Sequence, residues 1–250
     1  MVFFDEIKLL QGVFILIFIS ITLIVAITIG LKYFKNREVE YILIGITWVG
    51  LASPWVPDAI CFVANLIFPS ISLWYINEFW YLITGMAFLP LFLVLWLMAL
   101  KKLVYHERGK QLILINITIG IVYDLAFFIL LFLDITQIAT INPSDMYTVD
   151  LGIIMMLYIP YMIILFVFTG LHFSYLSLKS ENPEVILRAK MLILAIILFA
   201  IGAFLDSVIT AILPTIVIIT FIAKVILILS SILFYISFVL PNWAKKRFIK

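Results

Sequence analysis

The stretch LLQGVFILIFISITLIVAITIGL, residues 9–31, carries no charged side chain. A helix crosses the ~30 Å hydrocarbon layer in roughly 20 apolar residues, so this run predicts a membrane span. It is too long for the core of a signal peptide and no small-residue cleavage pattern follows it, so it is expected to persist in the mature protein. Similar runs recur through the 250 residues, of which 66% are apolar and 12% charged, with mean hydropathy +1.29. Soluble domains hold about 45–50% apolar and about 25% charged residues, because water must wet their surface. The composition therefore excludes an ordinary soluble domain. Continuous rather than alternating runs also exclude a porin-like barrel.

Working outward from the first run, apolar segments predict helices near 8–31, 40–67, 76–100, 111–133, 151–177, 188–212 and 216–240. Seven spans take up about 150–170 residues and leave no room for a water-soluble catalytic domain. The expected fold is an all-α membrane protein, one seven-transmembrane helix bundle over residues 1–250. Fourteen of the 16 lysines and arginines fall in alternate connections, after the first, third, fifth and seventh spans. Basic connections stay in the cytoplasm, so the N-terminus is expected outside and the C-terminus inside, in a multi-pass protein of the cell membrane. Leu213-Pro214-Thr215 is short enough to make the sixth and seventh spans antiparallel neighbours. The acidic segment Asp134–Asp150, with its Asn142-Pro143 turn, reads as a lid or as a solvated loop.

Cys61 is the one cysteine, and His106 and His172 stand in different segments, so no metal site and no cofactor is expected. Net charge +2 in short basic clusters suits a lipid bilayer rather than nucleic acid. The sequon at Asn116 lies within a span, out of reach of glycosylation. No nucleophile motif, metal set or adjacent carboxylate pair suggests an enzyme.

Ionisable residues inside spans are the informative ones, because hydrocarbon penalises charge. Asp58, Asp124 and Lys224 are predicted roughly 12–14 Å below the outer edge and Asp206 about 9 Å, from a rise of 1.5 Å per residue. Each shares a helical stripe with small or polar residues, such as Gly50, Pro54, Cys61 and Asn65 for Asp58, or Asn116 and Gly120 for Asp124. Thr210 extends the stripe of Asp206, and Ser231 that of Lys224. Such stripes face a bundle interior, so the four charges are expected to converge in one layer. Trp55, Glu78, Tyr81, Tyr158 and Tyr161 are placed around the same level. One reading is an outward-opening polar and aromatic cavity. The other is a closed network in which Lys224 pairs with Asp206. Three acids against one lysine favour a small-molecule or cationic ligand, a proton or a sodium ion. Pro54, Pro57, Pro90 and Pro160 are expected to kink their spans, as hinges or simply as shape. His172 reads as a titrating group or as a hydrogen-bonded interface residue.

A lysine in the seventh span invites comparison with retinal proteins, but Thr220 stands where the microbial pattern has an aspartate. Phe221-Ile222-Ala223-Lys224 resembles animal opsins without the Asn-Pro-x-x-Tyr that follows there. A broader likeness runs through Thr47-Trp48, Glu78-Phe79-Trp80-Tyr81, Ala87-Phe88-Leu89-Pro90, Trp96, Lys101-Lys102, and Phe234-Tyr235 through Leu240-Pro241-Asn242-Trp243 to Lys245–Arg247. These segments resemble the seven-helix sensor region at the amino terminus of membrane histidine kinases. The resemblance implies a signal-receiving bundle with its amino terminus outside, and it supplies no ligand residues. The kinases continue into a signalling domain, whereas this sequence stops at Lys250, so output is expected through a cytoplasmic or membrane partner. The leading expectation is a receptor-like sensor. An ion-coupled transporter using the same charges and a structural membrane subunit are the alternatives.

Overall fold

In a computed structural model, residues 6–68, 77–105, 107, 109–141, 149–209 and 217–249 are described. The opening apolar run forms α1, Glu6–Asn36, with Glu6 in its first turn and Lys35 in its last, each complementing the helix dipole. Arg37 adopts a left-handed φ of 58° and ends it. The chain then turns back into α2, Glu40–Leu51. Gly45 lets this helix approach α1 closely: a Cβ there would lie 2.7 Å from the carbonyl oxygen of Ala26.

Prolines interrupt the second expected span. Pro54 and Pro57 cannot donate to the helical ladder, and the chain passes through a 3-10 turn, Ser53–Trp55, into α3, Val56–Ile67. The two halves are bent by 44°. The break is anchored by the Ser53 hydroxyl, which donates to the carbonyl of Gly85 at 2.8 Å. Asn77 caps α4, Glu78–Met86, by accepting from the Phe79 amide. The same span continues through α5, Leu89–Leu100, into a π turn at Lys101–Tyr105. Pro90 sits at the start of α5, where its missing N–H costs nothing.

α6, Gly109–Leu133, leads to the segment expected as a lid or a solvated loop. Its described residues form short regular elements, and several of them are buried. Asp134 caps a short 3-10 turn, and strands β1, Ala139–Ile141, and β2, Val149–Leu151, pair antiparallel with Thr140 opposite Asp150. Ile138, Ala139 and Ile141 are buried. Asn142-Pro143 lies outside the described residues. α7, Ile153–Ser177, contains Pro160, and α8, Pro183–Phe204, starts five residues earlier than expected because Asn182 caps it. α8 ends in a second π turn, Leu205–Ile209. The Thr210 and Leu213–Thr215 expectations fall outside the described residues. α9, Val217–Val239, ends at Leu240, which has φ 48°, before the short α10, Asn242–Phe248.

Among the described residues six helices are long and apolar enough to cross a membrane, and the bent α2–α3 pair would make a seventh span if it crosses as one. The elements pack round in chain order. α1 lies between α2 and α9, α9 packs on α8, α8 on α7, and α5 joins α2, α6 and α7. The centre is aromatic: Trp48 stacks on Phe234 at 3.7 Å, Phe199 meets both Trp48 and Phe166, and Phe166 meets Trp96. Buried hydroxyls add interhelical bonds, such as Ser230 to the Ala195 carbonyl and Trp96 Nε1–H to Thr169.

Candidate functional site

Lys224 lies on α9 and is 3% exposed. A bare ammonium at that depth is expensive unless it is paired. Its Nζ donates to Asp206 Oδ2 at 2.6 Å. Asp206 belongs to the π turn that ends α8, a type of irregularity common at functional sites. The same carboxylate oxygen accepts from Trp55 Nε1–H, and Trp55 comes from the 3-10 break of the second span. Lys224 Nζ also stands 5.2 Å from the centre of the Trp55 ring, which meets Phe18 from α1 at near right angles, 5.4 Å between centres. Elements from four spans thus meet at one ion pair. Gly202 permits the approach of α8 to α9, since a Cβ there would lie 2.8 Å from Leu227 Cγ.

A second carboxylate stands next to this group. Asp58 occupies the first turn of α3, where the helix dipole favours an anion. Tyr81 of α4 donates its hydroxyl to Asp58 Oδ1 at 2.5 Å, and it is within electrostatic reach of Asp206 as well. The stripe expected to accompany Asp58 is interior: Cys61 and Asn65 are buried, and Asn65 Nδ2 donates to the Cys61 carbonyl. Lys224, Asp206, Trp55, Asp58 and Tyr81 therefore form one neighbourhood.

Asp124, Tyr158 and Tyr161 form another. The interior face of α6 is set by Asn116, Gly120, Tyr123 and Phe127. Asp124 follows Tyr123 by one residue, about 100° around the helix, so it sits half-buried on the shoulder. Its Oδ1 is enclosed and has no hydrogen-bond partner among the described residues. Tyr123 stacks on Tyr158 at 4.0 Å and donates to the Met86 carbonyl. Tyr161 donates to Asn116 Oδ1 at 2.6 Å. Among the described residues no hydrogen bond or ion pair links this tyrosine group to Lys224. Of the four charges expected in one layer, Lys224 and Asp206 are joined directly, and Asp124 is half-buried on α6. Glu78 is half-buried in the first turn of α4, one helical turn before Tyr81.

The Lys224–Asp206 pairing that one of the two sequence readings expects is present. His172 is likewise engaged, with Nδ1 2.9 Å from the Tyr105 hydroxyl and the two rings stacked. Sequence reasoning missed a third polar group at the opposite end of the bundle. Lys32 Nζ donates to the Phe238 and Val239 carbonyls, and Arg188 Nη1 to those of Ser237 and Phe238. Cations from α1 and α8 therefore cap the end of α9, a use that their flanking positions suggested only as membrane-surface charge. Among the described residues no three His, Cys, Asp or Glu side chains gather as metal ligands.

Asp206 holds Lys224 and Trp55 through one carboxylate oxygen, the chemistry with which a small cation could also interact. Comparison of the chain with protein-family models, with curated proteins and with solved structures gives no match, and the chemistry of Lys224, Asp206 and Asp58 carries the functional reading.

Proposed function

We propose that this chain is a receptor-like sensor of the cell membrane, crossing it seven times with its N-terminus outside, and that the Lys224–Asp206 pair is the latch between its sixth and seventh spans. The observation that carries this reading is the place of the pair. It lies where a broken second span and a π turn meet, so both irregular segments share one part-buried carboxylate. A small ligand or cation that binds Asp206 or Asp58 in place of Lys224 releases the latch, and the two bundle states differ in how well they hold it. The excess of lysine and arginine in alternate connections supports the orientation, and the resemblance to kinase sensor regions supports the signal-receiving class. Signalling passes to a cytoplasmic or membrane partner, and no catalytic role is assigned to these residues.

Sodium and proton titrations of the purified protein test the reading, followed by tryptophan fluorescence and thermal stability. The wild type is expected to respond, and Asp206→Asn to lose the response. If Asp206→Asn and Asp58→Asn both leave the response unchanged, the latch has no sensing role and a purely structural bundle stands instead.

One observation favours a second reading. The 44° break with its two prolines resembles the discontinuous helices on which transporters build ion sites. Substrate-dependent uptake into proteoliposomes, abolished by Asp206→Asn, would place transport ahead of sensing.

A further inference from the structure

Past the last span the chain turns back onto the bundle. Leu240 bends with φ 48°, and α10 docks through Ala244, which is buried in a cluster with Leu187 of α8 and Ile236 and Leu240 at the end of α9. Ile249 packs on the same cluster. Lys245 Nζ fastens the helix a second time by donating to Glu184 Oε1, in the first turn of α8, at 2.7 Å. These contacts set its depth. The apolar span that begins at Pro183 is 25 residues long, about 37 Å at a rise of 1.5 Å per residue, against a hydrocarbon layer of about 30 Å. Its first turns carry Glu184 and Arg188 and therefore stand in the headgroup layer, with α10 held beside them.

The other side of α10 is charged and uncovered. Positions three and four apart share a helix face, so Trp243, Lys246 and Arg247 stand together, opposite the docked side, and all three are exposed. Lys245 is neutralised by Glu184, whereas Lys246 and Arg247 make no ion pair among the described residues. Two uncompensated cations thus flank an indole at headgroup depth. A guanidinium matches a phosphate in two parallel hydrogen bonds, an ammonium adds a point charge, and an indole prefers the boundary between headgroups and chains.

We infer that this face of α10 binds the headgroup of an anionic phospholipid, with the phosphodiester at Lys246 and Arg247 and the Trp243 indole beside the glycerol. The net negative charge of the lipid is what the uncompensated pair selects. The site is at the opposite end of the bundle from Lys224 and does not rest on the latch.

The test uses the full chain in phosphatidylcholine vesicles that carry, at equal mole fraction, either brominated phosphatidylglycerol or brominated phosphatidylcholine. Bromine quenches indole fluorescence at short range, and the part of the quenching lost in Trp243→Phe reports α10. That part is expected to be larger with the anionic lipid. Lys246→Gln and Arg247→Gln, at exposed positions that leave folding intact, are each expected to reduce the preference about fivefold, the worth of one cation at an anionic surface. Lys35→Gln/Lys179→Gln removes two exposed cations elsewhere at this end and is expected to leave it unchanged. Asp206→Asn is expected to keep the preference, so failure of the latch and failure of this site are distinguishable. Equal quenching by the two lipids, or none, would overturn the assignment and leave the face to an acidic protein surface. An equal loss in Lys35→Gln/Lys179→Gln would replace the site by bulk basicity. Loss of the preference on adding inorganic phosphate at constant ionic strength would replace the lipid by a free anion.

Discussion

Removing one half of a buried ion pair is worse than removing both, because the survivor stays buried without its counter-charge. Lys224→Met leaves the Asp206 carboxylate with the Trp55 indole but no cation. It is expected to cost about 3–5 kcal/mol, read as a fall in the midpoint of denaturant unfolding. Lys224→Met/Asp206→Leu, which removes both charges at similar volume, is expected to recover most of that loss. A double variant as unstable as the single one would mean that the pair is not what holds α8 to α9. These residues were legible to different degrees. Depth counting found Lys224 and Asp206 because a fixed rise per residue transfers directly to neighbouring antiparallel helices. Asp124 was placed with them by the same depth, yet depth carries no angle. Tyr123 took the interior position and turned Asp124 onto the shoulder of α6. Trp55 was seen as an aromatic at the entrance, while its role as a donor to Asp206 depends on a helix break that hydropathy does not report.

At the scale of elements, the hairpin between α6 and α7 shows what an apolar pattern conceals. Its strands are three residues each, too short to alternate visibly, and their packing comes from Ile138, Ala139 and Ile141. Gly152 is required where the chain returns: a Cβ there would lie 2.0 Å from the Gln137 carbonyl oxygen. The turn that launches β1 is held by Asp134, outside the membrane helices. Hydrogen bonds from the Thr136 hydroxyl and the Gln137 amide hold its carboxyl below the usual carboxylate range. A depressed carboxylate contributes stability above its unfolded pKa and loses it as pH falls through the folded value. The Thr136 amide is therefore expected to exchange faster as pH drops below the ordinary range for aspartate, after correction for intrinsic rates. Asp134→Asn is expected to remove that dependence. An unchanged acid profile in the variant would show that Asp134 does not govern the turn. Membrane-length helices were predicted within several residues, since long apolar runs have little freedom. The 3-10 break and the two π turns were not, because prolines mark only the first and nothing in an apolar run marks a π turn.

Across the whole molecule, the ring closes where α9 meets α1 and α8, and its two ends are secured differently. One end relies on Lys224 and Asp206, the other on Lys32 and Arg188 reaching the last carbonyls of α9. Arg188→Ala strips two of those bonds and is expected to destabilise the bundle by about 1.5–3 kcal/mol, the range for a hydrogen bond to a charged group. Faster exchange at the Leu240 amide, which bonds to the Ile236 carbonyl at 2.9 Å, would locate the loss at the end of α9. Unchanged stability and exchange would leave the closure to apolar packing alone. Beyond that end, the left-handed turn at Leu240 leads into α10, which docks on α8 and α9 through buried Ala244 and the Lys245–Glu184 pair and leaves Trp243 and Phe248 exposed beside Lys246 and Arg247. That mixture of rings and cations favours the headgroup layer. A docked helix seated in that layer works as an outrigger braced against α8. It resists any plunger-like travel of α9 along its own axis and leaves rocking about the Lys224 level as the easier motion, like a lever turning on its pin.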